Sequence, residues 1–214
     1  MPDASPDTST AVLEPRTAEV RRTTGETDVT VRLALDPGDG GGPAPGTDCD
    51  TGVGFFDHML DAFARHGGFA LAVRCDGDLE TGDHHTVEDV GIALGQALGQ
   101  ALGEKDYVAR YGHACVPMDE ALARAAVDLS GRFYLAFEAD FSRERTGDLS
   151  TEMTRHFWRS VAEHAGLTLH LDLLKGDNAH HQVEALFKAG ARALRAATRR
   201  DPDGDRTPST KGVL

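Results

Sequence analysis

The sequence predicts an α+β fold formed by internal duplication, with two similar halves. Segments with strand-like alternation and segments with helical spacing of apolar residues follow in the same order in both halves of the 214-residue chain. Eight of the ten histidines repeat in pairs 98 or 96 positions apart, which are His58 with His156, His66 with His164, His84 with His180, and His85 with His181. Glu88 and Glu184 are also 96 positions apart. The repeat is therefore most visible in the polar residues.

The first half contains a predicted hairpin, a helix, a strand and a second helix. The hairpin is predicted over AEVRRTTGETDVTVRLALD, where Val29, Val31 and Leu33 alternate with polar residues. The segment GFFDHMLDAFARHGGF has helical apolar spacing and ends at Gly67 and Gly68. A strand over FALAVRC and a helix over HTVEDVGIALGQALGQALG follow.

The second half repeats this order. We predict a hairpin over ALARAAVDLSGRFYLAFEAD with its turn at Ser130 and Gly131. A helix over TEMTRHFWRSVAEHAG, a strand over LTLHLDLL and a helix over HHQVEALFKAGARALRAATRR come next. The matching order indicates that each half is one copy of the repeated unit.

The predicted boundaries follow from composition. They are a disordered tail at 1–15, a first half at 16–104, a second half at 105–200 and a C-terminal tail at 201–214, which together form one compact unit. The segment at 36–52 is rich in Gly and Pro, including an insertion at 38–46, and is predicted to be a mobile loop.

Composition excludes several classes of protein. A net charge of −13 argues against a nucleic-acid surface. The sequence has no stretch of about 18 apolar residues, which a membrane span would require, and the N-terminus does not resemble a signal peptide. Cys49, Cys75 and Cys115 lack metal-binding spacing and are interpreted as reduced thiols of a cytoplasmic protein. Small molecules or metal ions are the expected partners.

Two short clusters predict metal binding. Residues four apart in a helix share one face, so His84 can share an ion with Glu88, and His180 with Glu184, whereas the adjacent His85 and His181 must point elsewhere. With His58 and His156 from the preceding helices, the residues divide into two sites of three imidazoles and one carboxylate each. This ligand set suits Mn, Fe, Co, Ni or Zn and leaves coordination positions open for catalysis.

The divergence of His85 from His84 also predicts homo-oligomerisation. If adjacent histidines bind different ions, one ion lies at a surface shared with another copy of the chain. A lone helical histidine is more often a hydrogen-bonded core or surface group, and the duplicated register is what favours metal here. His66 and His164 lie near helix C-termini, where the dipole is expected to favour a protonated imidazole, in a structural or a substrate-binding role.

Five segments resemble the imidazoleglycerol-phosphate dehydratase family of histidine biosynthesis. They are GFFDHMLDAFARHG, GDHHTVEDVGIALGQALG, PMDEALARAAVDLSGR, HHQVEALFKAGARALR and the terminal PSTKGVL. The resemblance covers about residues 15–214. It implies a cytoplasmic hydro-lyase that converts imidazole glycerol phosphate to imidazole acetol phosphate with two Mn²⁺ ions per active site. It further implies that each half carries a four-stranded mixed sheet covered on one face by two helices, in a 24-subunit homo-oligomer.

The resemblance also implies roles for individual residues. The family's metal ligands fall on His58, His84, His85, Glu88, His156, His180, His181 and Glu184. Its phosphate-binding positions fall on Arg110, Arg132, Lys188, Ser209 and Lys211, and we add Thr210 of the same motif and His66 as expected substrate contacts. Its acid–base residue matches Glu19, which we count as catalytic together with the metal ligands His84 and His180. Tyr107 and Val108 depart from the family pattern just before Arg110.

The expected mechanism has two metal ions stabilising the substrate's ring as an imidazolate, loss of the hydroxyl group, and deprotonation by Glu19. Two alternatives remain at this point. A dimetal phosphatase or other hydrolase would use the same ligand types with its ions about 3.5–4 Å apart. A metal-storage shell protein would have no use for the basic residues or for PSTKG.

Overall fold

The computed structural model describes residues 15–37 and 46–212. The first half comprises β1 (Thr17–Thr23), β2 (Thr27–Ala34), β3 (Asp48–Asp50), α1 (Gly54–Gly67), β4 (Ala70–Gly77) and α2 (His84–Leu102). The second half comprises β5 (Tyr111–Met118), β6 (Ala121–Asp128), β7 (Tyr134–Glu138), β8 (Arg145–Thr146), β9 (Leu149–Ser150), α3 (Glu152–Ala165), β10 (Thr168–Lys175) and α4 (Ala179–Thr198).

The two main sheets have the same topology. Their strand orders are β1-β2-β4-β3 and β5-β6-β10-β7, and in each the last pair is parallel while the other pairs are antiparallel. The parallel pairs are joined through a helix, α1 between β3 and β4 and α3 between β7 and β10. The predicted duplicated α+β fold with two four-stranded mixed sheets is confirmed.

The helices lie between the two sheets. α1 and α2 pack on the first sheet and α3 and α4 on the second, while α1 contacts α4 and α2 contacts α3 across the middle. Alternation along β2 buries Val29 and Val31 between sheet and helices. In the second half, Phe157, Trp158 and Phe187 pack together as a buried aromatic group. One hydrophobic core therefore spans both halves.

Glycines allow the helices to approach closely. A Cβ atom built on Gly95 of α2 would lie 2.7 Å from the carbonyl oxygen of Val161 on α3. One built on Gly190 of α4 would lie 2.4 Å from the Trp158 ring. Both separations are shorter than carbon atoms tolerate, so these positions require glycine for the observed packing.

Two predictions about strands are wrong. The predicted hairpin around Ser130 and Gly131 does not form, because β6 pairs with β5 and β10 while β7 pairs with β10 at the far edge. The hairpin of this half is β5–β6, with its turn at Asp119 and Glu120. The segment predicted to be a loop contains β3, whose three residues are too few to show alternation in the sequence. Residues 1–14 of the predicted tail and 38–45 of the insertion lie outside the described residues.

Within the described residues, no helix combines the length and the apolar character needed to span a membrane.

Candidate metal and substrate site

The first candidate metal cluster joins α1 to α4. Nε2 of His180 lies 3.0 Å from Oε2 of Glu184, and Nε2 of His58 lies 3.4 Å from the same oxygen. One possible ligand atom from each residue lies within 4.8 Å of the others. The Asn178 side chain caps α4 by accepting a 2.9 Å hydrogen bond from the His180 backbone N–H, which fixes the start of this helix.

The second cluster joins α2 to α3. Nε2 of His156 lies 3.0 Å from Oε1 of Glu88, and Nε2 of His84 lies 3.8 Å from Oε2 of the same carboxylate. The rings of His84 and His156 are 4.7 Å apart between centroids. These residues are the duplication counterparts of the first cluster. Each cluster therefore combines residues from both halves.

Further contacts between the halves fix the starts of the two helices of the first half. The backbone N–H groups of Gly54 and Phe55 donate to Asp148 at 2.6 and 2.9 Å, which fixes the start of α1. Asp83, which precedes α2, accepts hydrogen bonds of 2.5 and 2.9 Å from the backbone and hydroxyl of Ser150. The second half thereby positions the helices that carry His58 and His84.

The adjacent histidines His85 and His181 lie outside both clusters. Nδ1 of His85 is 3.0 Å from Asp78, and Nδ1 of His181 is 2.7 Å from Glu120. These carboxylate contacts raise the pKa of both imidazoles above the ordinary value. Each cluster within one chain therefore has two imidazoles and one carboxylate, and the expected third imidazole faces elsewhere.

Glu184 is the most buried of the candidate ligands, with 8% of its side chain exposed. Burial alone would raise its pKa, but the Lys188 ammonium, 2.6 Å from Oε1, and the neighbouring His180 and His58 outweigh burial and lower the pKa. The carboxylate is therefore ionised at neutral pH, which is the form that coordinates a cation.

The pKa of His66 is shifted in the opposite direction from the one expected. Burial, followed by the positive charges of Lys188 and Arg192 on α4, lowers the pKa of its imidazole. The expectation that the dipole of its helix would favour the protonated form is wrong, because cations on the neighbouring helix and partial desolvation prevail. The lowered pKa favours the neutral imidazole of His66 at neutral pH.

A cavity of about 490 Å³ adjoins the first cluster. Its lining includes His180, His181, Glu120 and Asn178 together with the cationic residues Arg143 and Arg145. A larger cavity of about 890 Å³ lies near the end of α4 and contains no member of either cluster. The smaller one is the better candidate for substrate, because it brings candidate ligands and cationic groups together.

Comparisons with known proteins agree on one family. A family model for imidazoleglycerol-phosphate dehydratase matches residues 51–194. The imidazoleglycerol-phosphate dehydratase of Salinibacter ruber (strain DSM 13855 / M31) is 64% identical over 206 residues, covering 96% of this chain and 99% of the relative. This chain belongs to the imidazoleglycerol-phosphate dehydratase family.

Solved structures of the family share the fold. The crystal structure of the Staphylococcus aureus subsp. aureus N315 dehydratase matches with a TM-score of 0.76 and 41% identity over 86% of this chain and 99% of that chain. The Pyrococcus furiosus dehydratase, in complex with (S)-C348, matches with a TM-score of 0.77 and 37% identity over 91% of this chain and 100% of that chain. As a member of this family the chain is a hydro-lyase.

Lys188 is separated within one chain from Arg110, another expected phosphate-binding residue of this dehydratase. Lys188 lies beside the first cluster, whereas the backbone N–H of Arg110 donates to the carbonyl of Ala197, nine residues or about 13 Å further along α4. The Arg110 guanidinium is held by Asp128 at 2.8 Å and donates to the carbonyl of Pro208 at 2.5 Å, beside the PST motif.

The remaining expected phosphate contacts are exposed to solvent, except for Ser209, which is half-buried. The Arg132 guanidinium donates to the carbonyl of Ser130 at 3.3 Å. The backbone N–H of Lys211 donates to the Ser209 hydroxyl at 3.2 Å, and the intervening Thr210 is exposed. Arg110 has a left-handed backbone with φ of 67°. Residues with a side chain rarely adopt this conformation. Arg110 adopts it while its guanidinium is paired with Asp128.

Glu19 of the dehydratase faces away from the helices that carry the clusters. Its neighbour Val20 points into the core, and alternation therefore places Glu19 on the outer face of the first sheet. Its carboxylate forms a 3.1 Å ion pair with Arg32, and this hydrogen-bonded contact lowers its pKa. Glu19 and the clusters of the same chain lie on opposite faces of this sheet.

Asp78 and Glu120 are the site residues that sequence reasoning missed. Glu120 stands in a segment with family resemblance and Asp78 precedes one, but neither has metal-ligand spacing relative to a histidine. The side-chain contacts with His85 and His181 depend on how the strand ends meet the helix starts, and periodicity carries no information on that.

Proposed function

We propose that this chain dehydrates imidazole glycerol phosphate to imidazole acetol phosphate in histidine biosynthesis, with two Mn²⁺ ions per active site. The single observation that supports metal dependence is the pair of equivalent clusters, each with two imidazoles and one carboxylate whose ligand atoms lie within 4.8 Å of one another. The names of the related proteins support the substrate and the reaction.

The residues present fit such an ion. Nitrogen and carboxylate oxygen donors without thiolate suit Mn²⁺, and three donors leave coordination positions for a third imidazole and for substrate. His58, His180 and Glu184 would hold one ion, and His84, Glu88 and His156 the other. Bound ions would supply Lewis acidity that stabilises negative charge on the substrate's imidazole ring.

The chain's other residues have separate tasks in this proposal. Lys188 would bind the phosphate group near the first cluster, and Arg110, Arg132, Ser209, Thr210 and Lys211 would complete phosphate binding. Glu19 would act as the base that removes a carbon-bound proton. Its ion pair with Arg32 holds the carboxylate ionised. Separation of this ion pair on substrate binding would make the carboxylate a stronger base.

The separation of these groups supports an active site shared between copies. Glu19 lies on the outer face of a sheet, and His85 and His181 lie outside the clusters of their own chain, so a complete set requires more than one chain. We propose a homo-oligomer of 24 subunits, located in the cytoplasm. Cys49, Cys75 and Cys115 are free thiols, which supports a reducing compartment.

Product analysis tests the proposal. The Mn-loaded protein is incubated with imidazole glycerol phosphate, and imidazole acetol phosphate is the expected product. The metal-free protein should be inactive and should regain activity with Mn²⁺. Release of inorganic phosphate without the ketone would favour the hydrolase, and tight metal uptake with no turnover would favour the storage protein. Either result would contradict the proposal.

A further inference from the structure

His85 and His181 share one hydrogen-bonding arrangement. Nδ1 of His85 lies 3.1 and 3.0 Å from the two carboxylate oxygens of Asp78, and Nδ1 of His181 lies 2.7 Å from Oε2 of Glu120. In both cases the contact uses Nδ1. The remaining nitrogen, Nε2, has carboxylate neighbours only at 3.6 Å, which is beyond hydrogen-bonding distance.

Backbone groups contact both Asp78 and Glu120. The backbone N–H of Asp78 donates to the carbonyl of Glu26 at 3.1 Å, which joins the end of β4 to the β1–β2 turn. The other oxygen of Glu120 accepts hydrogen bonds from the backbone N–H groups of Asp177 and Asn178 at 3.2 and 2.8 Å, just before α4 begins. The backbone of Asp78 and the carboxylate of Glu120 are thus held by contacts that do not involve the histidines.

The two halves reach this contact from different elements. Asp78 follows the last residue of β4, whereas Glu120 lies in the β5–β6 turn. Asp177 follows Gly176 as Asp78 follows Gly77, yet within the described residues Asp177 makes no hydrogen bond or ion pair with His181. The repeated Nδ1 contact is therefore not a simple copy of one duplicated pair.

We propose that Asp78 and Glu120 are positioning residues that keep the proton of His85 and His181 on Nδ1 and orient each ring so that Nε2 is available to a metal ion. A carboxylate that accepts a hydrogen bond from Nδ1–H fixes the tautomer, orients Nε2 and increases its basicity. This inference rests on the proposed metal-dependent function, because it assigns a role to the histidines left outside the clusters.

The alternative is a surface ion pair without any such role. Exposed ion pairs between histidine and carboxylate contribute little on their own. That alternative predicts that removing Asp78 affects metal affinity only through the loss of one negative charge. A variant that removes the same charge nearby separates the two interpretations.

Asp76 provides this matched control. It lies two residues before Asp78 near the end of β4, its side chain is exposed, and its carboxylate makes no hydrogen bond or ion pair within the described residues. Asp78→Ala and Asp76→Ala each remove one carboxylate from this strand end. Asp78→Asn serves as a second variant, because its amide oxygen can still accept a hydrogen bond from Nδ1–H without carrying a charge.

The measurement is Mn²⁺ affinity and stoichiometry of the assembled protein, by competition with a chelator and by metal analysis. Asp78→Ala should weaken one class of site by about 10–100-fold, Asp78→Asn should weaken it less, and Asp76→Ala should leave it unchanged. Glu120→Ala should weaken the other class.

Equal affinities for Asp78→Ala and Asp76→Ala would overturn the inference while leaving the metal-dependent function intact. Failure of the parent protein to bind Mn²⁺ would instead remove the proposed function, and this inference with it. If Asp78→Ala does not fold, Glu120→Ala decides the matter, since an unchanged Mn²⁺ affinity of the other class of site would again overturn the positioning role.

Discussion

Nε2 of His156 lies 3.0 Å from Oε1 of Glu88, although the two residues are 68 positions apart and belong to different halves of the chain. The contact exists because α3 packs directly on α2, where Gly91 and Gly95 leave no side chain between the helices. Helix packing therefore sets the geometry of this cluster.

Gly95→Ala tests that dependence. The added methyl group would lie 2.7 Å from the carbonyl oxygen of Val161 and force α3 away from α2. We expect a loss of about 1–3 kcal/mol in the free energy of unfolding, as in other overpacked cores, and weaker metal binding in the cluster with His156. Gly99→Ala is the matched control, because its methyl group would meet its nearest atom at 3.6 Å. Equal stability of the two variants, measured by urea unfolding, would contradict this account.

Removing metal should reduce the size of the assembled particle. If His85 and His181 coordinate ions held by neighbouring copies, chelation breaks bonds between subunits, and acidification through the histidine range does the same by protonating ligands. Light scattering before and after chelation measures the effect. A particle of unchanged size that is verified to contain no metal would exclude this link.

Arg110→Ala should weaken substrate binding through the phosphate group. The loss of charged hydrogen bonds predicts a cost of about 1.5–3 kcal/mol in binding free energy, with metal content retained. The variant should also lose discrimination between the substrate and its dephosphorylated form. Arg206→Ala is a control, because that guanidinium pairs with Asp106 at 2.9 Å and is largely exposed. Retained discrimination in Arg110→Ala would remove the phosphate assignment.

Glu19→Gln should slow the chemical step while leaving substrate binding little changed. The amide keeps the shape of the side chain and can still contact Arg32, but it cannot take up a proton at neutral pH. Turnover should fall by about 10²–10⁴-fold if Glu19 is the base, with metal occupancy and substrate affinity little changed. Single-turnover kinetics of the metal-loaded variant provides the measurement, and a rate close to that of the parent would exclude a catalytic role.

Asp36 should make stability depend on pH. Burial opposes ionisation of Asp36, but bidentate hydrogen bonds from Arg16 at 2.6 and 2.7 Å and a contact with Arg200 outweigh it and lower its pKa. Because the pKa is lower in the folded state, the stabilisation is fully present above the unfolded value of about 3.9 and is lost as the pH falls through the folded-state pKa.

The variant Asp36→Asn measures this contribution. It should be less stable than the parent at pH 7 by about 1.5–3 kcal/mol, as for hydrogen bonds to charged groups, and the difference should shrink at pH values below about 4. Asp28→Asn, at the exposed ion pair with Arg21, should give a smaller difference. A gap between parent and Asp36→Asn that is constant over this pH range would contradict the assignment.

Local patterns in the sequence predicted the helices and most strands, because burial on one face leaves a period that can be read directly. Alternation of Val29 and Val31 and the glycines after α1 are examples. The pairing of the strands was harder to predict from the sequence. The run on either side of Ser130 and Gly131 looks like a hairpin, but β10 from much later in the chain takes the position between β6 and β7. Such long-range pairing is decided by core packing.

The sequence predicted the candidate site about as completely as it predicted the fold. Helical spacing placed His84 with Glu88 and directed His85 elsewhere, and the structure shows these placements. Spacing could not decide that His58 meets Glu184 of the other half, since this depends on the contact of α1 with α4. It also misjudged the pKa of His66, because Lys188 and Arg192 come from a helix distant in the sequence.

Because each cluster takes residues from both halves, the chain resembles a dimer of two similar units joined end to end. A half-length ancestor could have built both clusters by pairing with its own copy, and the connection from Leu102 to Tyr111 now keeps the partners together at high effective concentration. Fusion also frees the partners to differ. Lys188 sits beside Glu184, whereas the counterpart position 96 residues earlier is occupied by Ile92. Within the described residues, the first candidate cluster alone has a lysine ammonium paired with its carboxylate, and we expect a ligand with one anionic end to enter in a single preferred direction.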